Sequence, residues 1–144
     1  MTEGKIKVLF LCTGNACRSQ MAEGWARHLK GDIIEAYSAG IYPIGVSSRA
    51  AKAMNEAGVD ITGQRSKHVN DLLDIEFDYV VTLCDNAAEM CPVFGGTVKV
   101  IHKPFEDPYF ATGTKEQVMA QFRKARDKIR EFVEGMPENL KNNK

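Results

Sequence analysis

The stretch that decides the fold is "KIKVLFLCTGNACRSQMAEGW", residues 5–25, in which an apolar run gives way to a short loop and then to a second apolar pattern. In the run, Val8 and Phe10 share one face, and Leu9 and Leu11 share the other. This pattern is typical of a strand that is buried on both sides. After the loop, apolar residues recur at the spacing of a helix. The stretch therefore predicts a strand, a loop and a helix, in that order.

Strand and helix patterns continue to alternate along the chain. Further strands are predicted at 32–40, 77–84 and 96–102, and further helices at 47–58, 69–74 and 114–136. The polar tail, residues 137–144, is expected to fray. The alternation predicts one α/β domain over residues 1–144, with three layers: a four-stranded parallel sheet and helices on both of its faces. Ligands of such folds bind at the carboxyl ends of the strands, where Cys12 and Cys84 lie.

The composition narrows the classes of function. The chain has 144 residues, 44% hydrophobic and 26% charged, as expected for one ordinary domain. Its formal net charge is zero, so nothing indicates steering toward nucleic acid or an anionic membrane. We recognise no export signal or membrane-spanning run, and we expect a cytoplasmic monomer without a cofactor. Cysteines in the cytosol are more often catalytic, redox-active or metal-binding than structural, so the four cysteines need a chemical explanation.

The loop between the predicted strand and helix has the form of an oxyanion cradle. Backbone N–H groups of such a loop, and of the helix that follows, converge on one point. The guanidinium of Arg18 can add a bidentate pair of hydrogen bonds. Gly14 and Asn15 suit the left-handed backbone that the curl requires. The residues expected to bind the oxyanion are Thr13, Gly14, Asn15, Ala16, Cys17 and Arg18.

Cys12, at the mouth of this loop, is the predicted nucleophile. The N–H dipoles and Arg18 would stabilise its thiolate, and such settings lower a thiol pKa from about 8.5 to between roughly 3.5 and 7.5. Ser19 is placed to donate a hydrogen bond to the thiolate or to the loop. A zinc site is not expected, because the cysteine spacings 12/17 and 84/91 lack the usual C-x2-C pattern and have no nearby histidine.

A carboxylic acid above the loop would protonate an oxygen leaving group. The stretch "FEDP", residues 105–108, follows the last predicted strand and offers Glu106 and Asp107. We predict Asp107 as the acid. The alternative is a turn in which Asp107 only caps backbone groups.

Cys84 and Cys91 form a second pair, in "CDNAAEMC". If this segment is helical, seven residues rise about 10.5 Å. A disulfide needs Cα atoms roughly 4.4 to 6.8 Å apart, so joining these sulfurs requires the helix to unwind. The alternative is two buried, inert cysteines.

The sequence resembles the thioredoxin-coupled arsenate reductases, which share a fold with the low-molecular-weight protein tyrosine phosphatases. The motifs "VLFLCTGNACRSQMAEGW", "VVTLCDNAAEMCP" and "FEDP" match in order over nearly the whole chain. The loop and the acid occur in both families. The cysteine pair after the third strand, and Gln20 where phosphatases usually carry proline, favour the reductase.

The resemblance implies a relay of three thiols that detoxifies arsenate. Cys12 would attack arsenate while Asp107 protonates the departing oxygen. Cys84 would then attack Cys12, release arsenite and leave a 12/84 disulfide. Cys91 would next attack Cys84, and reduced thioredoxin would reset the resulting 84/91 disulfide. Cys17 lies outside the relay, where it forms an off-pathway 12/17 disulfide or packs under the loop.

The resemblance also bears on metal binding. Several family members hold a potassium ion beside the loop, and the matching positions here are Asn15, Glu23 and Ser38. The fourth position falls on Lys67, whose ammonium would occupy the site or repel the cation, so we assign no metal. Two other functions stay open: a phosphatase, for which Tyr109 could offer an aromatic wall, and a redox sensor without catalysis.

Overall fold

The structure is a computed structural model that describes residues 4–84 and 98–141. The strands are β1 (Ile6–Cys12), β2 (Ile34–Gly40), β3 (Tyr79–Thr82) and β4 (Lys99–His102). The helices are α1 (Arg18–Lys30), α2 (Ser48–Glu56), α3 (Lys115–Glu134) and α4 (Glu138–Lys141). Two short 3-10 helices span Val69–Leu72 and Pro108–Phe110.

The four strands form one parallel sheet in the order β2-β1-β3-β4. Because the strands are parallel, their carboxyl ends lie along one edge. The ends of β1 and β3 are neighbours there, and the backbone N–H of Leu83 donates to the carbonyl of Leu11 at 2.8 Å. The loop after β1 and the residues after β3 therefore meet at the same edge.

The strand β1 is buried on both sides, as its sequence predicts. Val8 and Phe10 pack in one cluster with apolar residues of α1, α2 and α3. Leu9 and Leu11 face the other side, in a cluster that includes Val69 of the first 3-10 helix. Burying a side chain of this size contributes about 1.5–3 kcal/mol. The predicted three-layer α/β fold with a four-stranded parallel sheet is confirmed.

Polar caps set the first residues of two helices. Ser47 accepts a hydrogen bond from the backbone N–H of Ala50 at the start of α2. Thr114 and Gln117 form a reciprocal capping box at the start of α3, as preferred at helix N-termini. Both helices lie within their predicted ranges.

The prediction that the tail frays was wrong for its first part. Residues 138–141 form α4, and Leu140 is fully buried in the cluster beside α3. One apolar residue in a polar tail carries no periodicity, so the sequence pattern could not reveal that it docks. Within the described ranges, no helix has the length and apolar character needed to cross a bilayer.

Candidate active site

The loop that joins β1 to α1 curls around one left-handed residue. Asn15 has a φ of 48°, as predicted. Gly14 is not left-handed, so that part of the prediction was wrong; its missing side chain makes room for Ile44, whose Cγ1 would lie 3.1 Å from a Cβ there. At the end of β2, only glycine fits at position 40, because the backbone of Thr13 lies close to it. A Cβ on Gly40 would lie 2.7 Å from the carbonyl oxygen of Thr13.

A chain of hydrogen bonds leads to the sulfur of Cys12. The backbone N–H of Lys67 donates to Asn15 Oδ1 at 2.8 Å, and Asn15 Nδ2 donates to Ser19 Oγ at 2.8 Å. Ser19 Oγ lies 2.8 Å from Cys12 Sγ. Because the hydroxyl oxygen already accepts from Asn15, its own hydrogen is available to the sulfur. Ser19 is thus placed to donate to Cys12.

The ionisation of Cys12 differs from the sequence-based expectation. Cys12 is only 2% exposed, and this burial raises the pKa of its thiol. The hydrogen bond from Ser19 and the charge of Arg18 act in the opposite direction but do not outweigh the burial. In this geometry the shift is opposite to the expected lowering of the pKa, because desolvation penalises the thiolate more than the contacts with Ser19 and Arg18 stabilise it.

Arg18 joins the loop to the predicted acid. Its Nη2 donates to Asp107 Oδ2 at 3.0 Å, and its Nη1 donates to the carbonyl of Phe105 at 3.1 Å. The other carboxylate oxygen of Asp107 accepts from the backbone N–H of Tyr109 at 3.0 Å. Asp107 therefore caps the turn and also faces the site. Glu106 is exposed and does not line the cavity that holds Cys12.

Cys12, Arg18 and Asp107 line one cavity of about 340 Å³. Its outer wall is an apolar collar, which we define as Tyr42, Ile44, Tyr109 and Phe110. All four side chains are exposed, Phe110 to 76%. The sequence analysis missed Tyr42 and Ile44. The available signal was "GIYPIG", apolar residues in a Gly/Pro loop that leaves the same sheet edge.

The structure brings the second cysteine to the loop. Cys84 follows β3. Its Sγ lies 3.2 Å from Oγ1 of Thr13, the residue that directly follows Cys12 in the sequence. Cys91 falls outside the described residues.

Cys17 lines the same cavity as Cys12. It is 3% exposed, and burial raises the pKa of its thiol to about 12. Of the two predicted roles, packing under the loop fits this environment better.

The positions that the resemblance connects with potassium converge beside the loop. Glu23 is 2% exposed, accepts a hydrogen bond from Ser38 Oγ at 2.5 Å and pairs with Arg27 at 2.7 Å. Lys67 Nζ lies 3.8 Å from the same carboxylate. Burial lowers the pKa of Lys67, and the charge of Glu23 opposes this. Within residues 4–84 and 98–141, no group of three or more His, Cys, Asp or Glu side chains is arranged to hold a metal ion.

Comparison with known proteins identifies the family. The sequence pattern described as "Low molecular weight phosphotyrosine protein phosphatase" matches residues 7–144. The chain belongs to this family. Within it, the chain is 48% identical over 136 residues to the arsenate reductase of Bacillus subtilis strain 168, covering 92% of this chain and 97% of the relative.

Solved structures of the low molecular weight phosphatase family agree. An arsenate reductase in the phosphate binding state is 32% identical, with a TM-score of 0.74, and covers 94% of this chain and 95% of its own. A low molecular weight protein tyrosine phosphatase from T. tengcongensis is 26% identical, with a TM-score of 0.72, and covers 94% and 100%. The resemblance inferred from the sequence motifs is confirmed.

Proposed function

We propose that this protein reduces arsenate to arsenite in the cytosol, with Cys12 as the nucleophile and thioredoxin as the source of electrons. One arrangement carries the proposal: Cys12 sits in an oxyanion loop beside Arg18 and Asp107, and Cys84 contacts the same loop 3.2 Å from Thr13. Hydrolysis would need only the first part of this arrangement. A second thiol is what reduction requires, and the similarity to arsenate reductases agrees with it.

In the first step, the loop N–H groups and Arg18 would hold the arsenate oxygens. The sulfur of Cys12 attacks arsenic, and one oxygen leaves as water with a proton from Asp107. Arsenic remains pentavalent in this adduct. Asp107 is the candidate for this role because its carboxylate lines the same cavity as Cys12.

In the second step, the sulfur of Cys84 attacks the sulfur of Cys12. The electron pair of the sulfur–arsenic bond goes to arsenic, which leaves as trivalent arsenite, and a 12/84 disulfide forms. The two electrons thus come from the two thiols. The contact between Thr13 and Cys84 supports this step, because it holds Cys84 at the rim of the loop.

In the last step, Cys91 would attack Cys84 and release Cys12, so that thioredoxin reduces an 84/91 disulfide. The thioredoxin assignment and the role of Cys91 follow from the resemblance of the sequence motifs. A relay of this kind needs a compartment that keeps thiols reduced, which is why we place the protein in the cytosol.

The decisive test follows NADPH oxidation with the purified protein, arsenate, thioredoxin and thioredoxin reductase. We expect turnover that needs every component and disappears in Cys12→Ser. A redox sensor would be oxidised but would not consume NADPH in proportion to added arsenate. Absence of arsenate-dependent turnover would contradict the proposal.

A slow phosphatase activity is the second candidate, favoured by the apolar collar. Arsenate does not need aromatic walls, whereas cavities of about 300 Å³ or more accommodate small organic ligands. An aromatic leaving group could lie between Tyr42 and Tyr109, which both line the cavity. We expect hydrolysis of para-nitrophenyl phosphate that Cys12→Ser abolishes. Tyr42→Ala and Tyr109→Ala should raise its KM without changing the binding of inorganic phosphate.

A further inference from the structure

Gln20 is a buried polar residue with no role in the steps above. It lies in the first turn of α1 and is 0% exposed. A buried amide is unfavourable unless its donors and its acceptor are paired. Its contacts therefore indicate what it is for.

The amide of Gln20 bridges two backbone segments. Its Nε2 donates to the carbonyl of Asn15 at 3.1 Å and to the carbonyl of Arg65 at 2.9 Å. Its Oε1 accepts from Gln64 Nε2 at 2.7 Å, and Gln64 also donates to the backbone carbonyl of Gln20. One side chain thus ties the oxyanion loop to residues 64–67, which we call the strap.

The strap contacts the loop directly as well. Ser66 Oγ donates to the carbonyl of Gly14 at 3.2 Å, and the backbone N–H of Lys67 donates to Asn15 Oδ1 at 2.8 Å. The strap is itself anchored to the sheet, because the N–H of Gly40 donates to the carbonyl of Lys67 at 2.8 Å. Gln20 is therefore placed to set the distance between the strap and the loop.

We propose that Gln20 is a positioning residue that holds Asn15 in its left-handed conformation and thereby presets the loop N–H groups for an oxyanion. Asparagine adopts the left-handed region more readily than other non-glycine residues, but this region is still uncommon for it, so surrounding contacts help to hold Asn15 there. Gln20 donates a hydrogen bond to the backbone carbonyl of Asn15, and Lys67 of the strap donates another to the side chain of Asn15. The inference rests on the proposed oxyanion binding by the loop and not on the thiol relay.

The test measures the dissociation constant of inorganic phosphate by calorimetry on the reduced, full-length protein. Gln20→Met keeps the length of the side chain and removes both donors, and we expect the constant to rise roughly tenfold. Gln64→Met leaves those donors in place, and we expect a rise of about threefold. Gln121→Met, on the exposed surface of α3, is the matched control and should leave the constant unchanged.

A residue that only packs would give a different result. Gln20→Met would then lower Tm while the phosphate constant, measured well below Tm, stayed at the wild-type value, and this would overturn the inference. If Gln20→Met does not fold, an unchanged constant in Gln64→Met overturns it instead. Failure of the wild-type protein to bind phosphate would overturn the oxyanion cradle of the proposed function and this inference together.

Discussion

Among individual residues, Ser19 in the first turn of α1 has the most direct effect on Cys12. Burial raises the pKa of Cys12, and the hydrogen bond from Ser19 lowers it. Ser19→Ala removes the opposing contribution, so the pKa should rise further and the thiolate fraction at a given pH should fall. A hydrogen bond to a charged group contributes about 1.5–3 kcal/mol, so the rise in the pKa should be large enough to measure.

This shift can be measured by alkylating the protein with iodoacetamide at a series of pH values and quantifying the Cys12 peptide by mass spectrometry. The profile of Ser19→Ala should move to higher pH. Ser48→Ala, at the start of α2, is the control and should match the wild type. Superimposable profiles for Ser19→Ala and the wild type would show that another donor sets the ionisation of Cys12.

A substitution at Asp107, also a single residue, should distinguish anion binding from proton transfer. Asp107→Asn should slow formation of the arsenic adduct by about 10²- to 10⁴-fold, because it removes the acid but keeps the shape of the side chain. Phosphate affinity should change little, since the loop and Arg18 do the binding. Stopped-flow measurement of the first step tests this, with Glu106→Gln as the control. Full first-step activity in Asp107→Asn would assign the proton to Glu106 or to water.

At the scale of elements, α1, β2 and the strap meet around the buried carboxylate of Glu23. Lys67 Nζ lies 3.8 Å from that carboxylate and supplies a positive charge there. Activity should therefore respond weakly when sodium is exchanged for potassium at constant ionic strength. Lys67→Asp should install a dependence on potassium, because it adds an oxygen ligand beside Asn15 and Ser38. Strong, saturable activation of the wild type by potassium would contradict this interpretation.

The elements themselves were predictable where periodicity or a cap marks them. Strand β1 shows its two apolar faces in the sequence, and α3 has both a long apolar stripe and Thr114 as its N-cap. The docking of Leu140, the contact of Gly14 with Ile44 and the raised pKa of Cys12 depend on packing between distant segments. Local sequence carries no signal for such contacts.

The site residues divide in the same way. A strand followed by a short loop, an arginine and a helix indicates an oxyanion site from sequence alone, and Asp107 was predicted because it follows the last strand. The hydrogen bond between Gln20 and Gln64 joins positions that are 44 residues apart in the sequence, so it could be found only from the folded structure.

At the scale of the whole molecule, the parallel sheet places the loop after β1 and Cys84 at the same edge. In the proposed function, the loop after β1 would bind the oxyanion that Cys12 attacks, and Cys84 after β3 would supply a second thiol. The two can be separated by mutation because attack on an oxyanion and loss of oxygen need only Cys12, Arg18 and an acid. Two-electron reduction needs a second sulfur as well.

Cys84→Ser should therefore stop thioredoxin-coupled reduction of arsenate and keep slow hydrolysis of para-nitrophenyl phosphate. Cys91→Ser should permit about one turnover, because the first two steps remain possible and nothing carries the disulfide onward. It should accumulate a 12/84 disulfide, detected by mass spectrometry of peptides after acid quenching. Cys17→Ser, whose thiol lies outside the relay, is the control and should keep coupled turnover. Sustained coupled turnover by both Cys84→Ser and Cys91→Ser would exclude the relay and leave the second cysteine pair a role in packing alone.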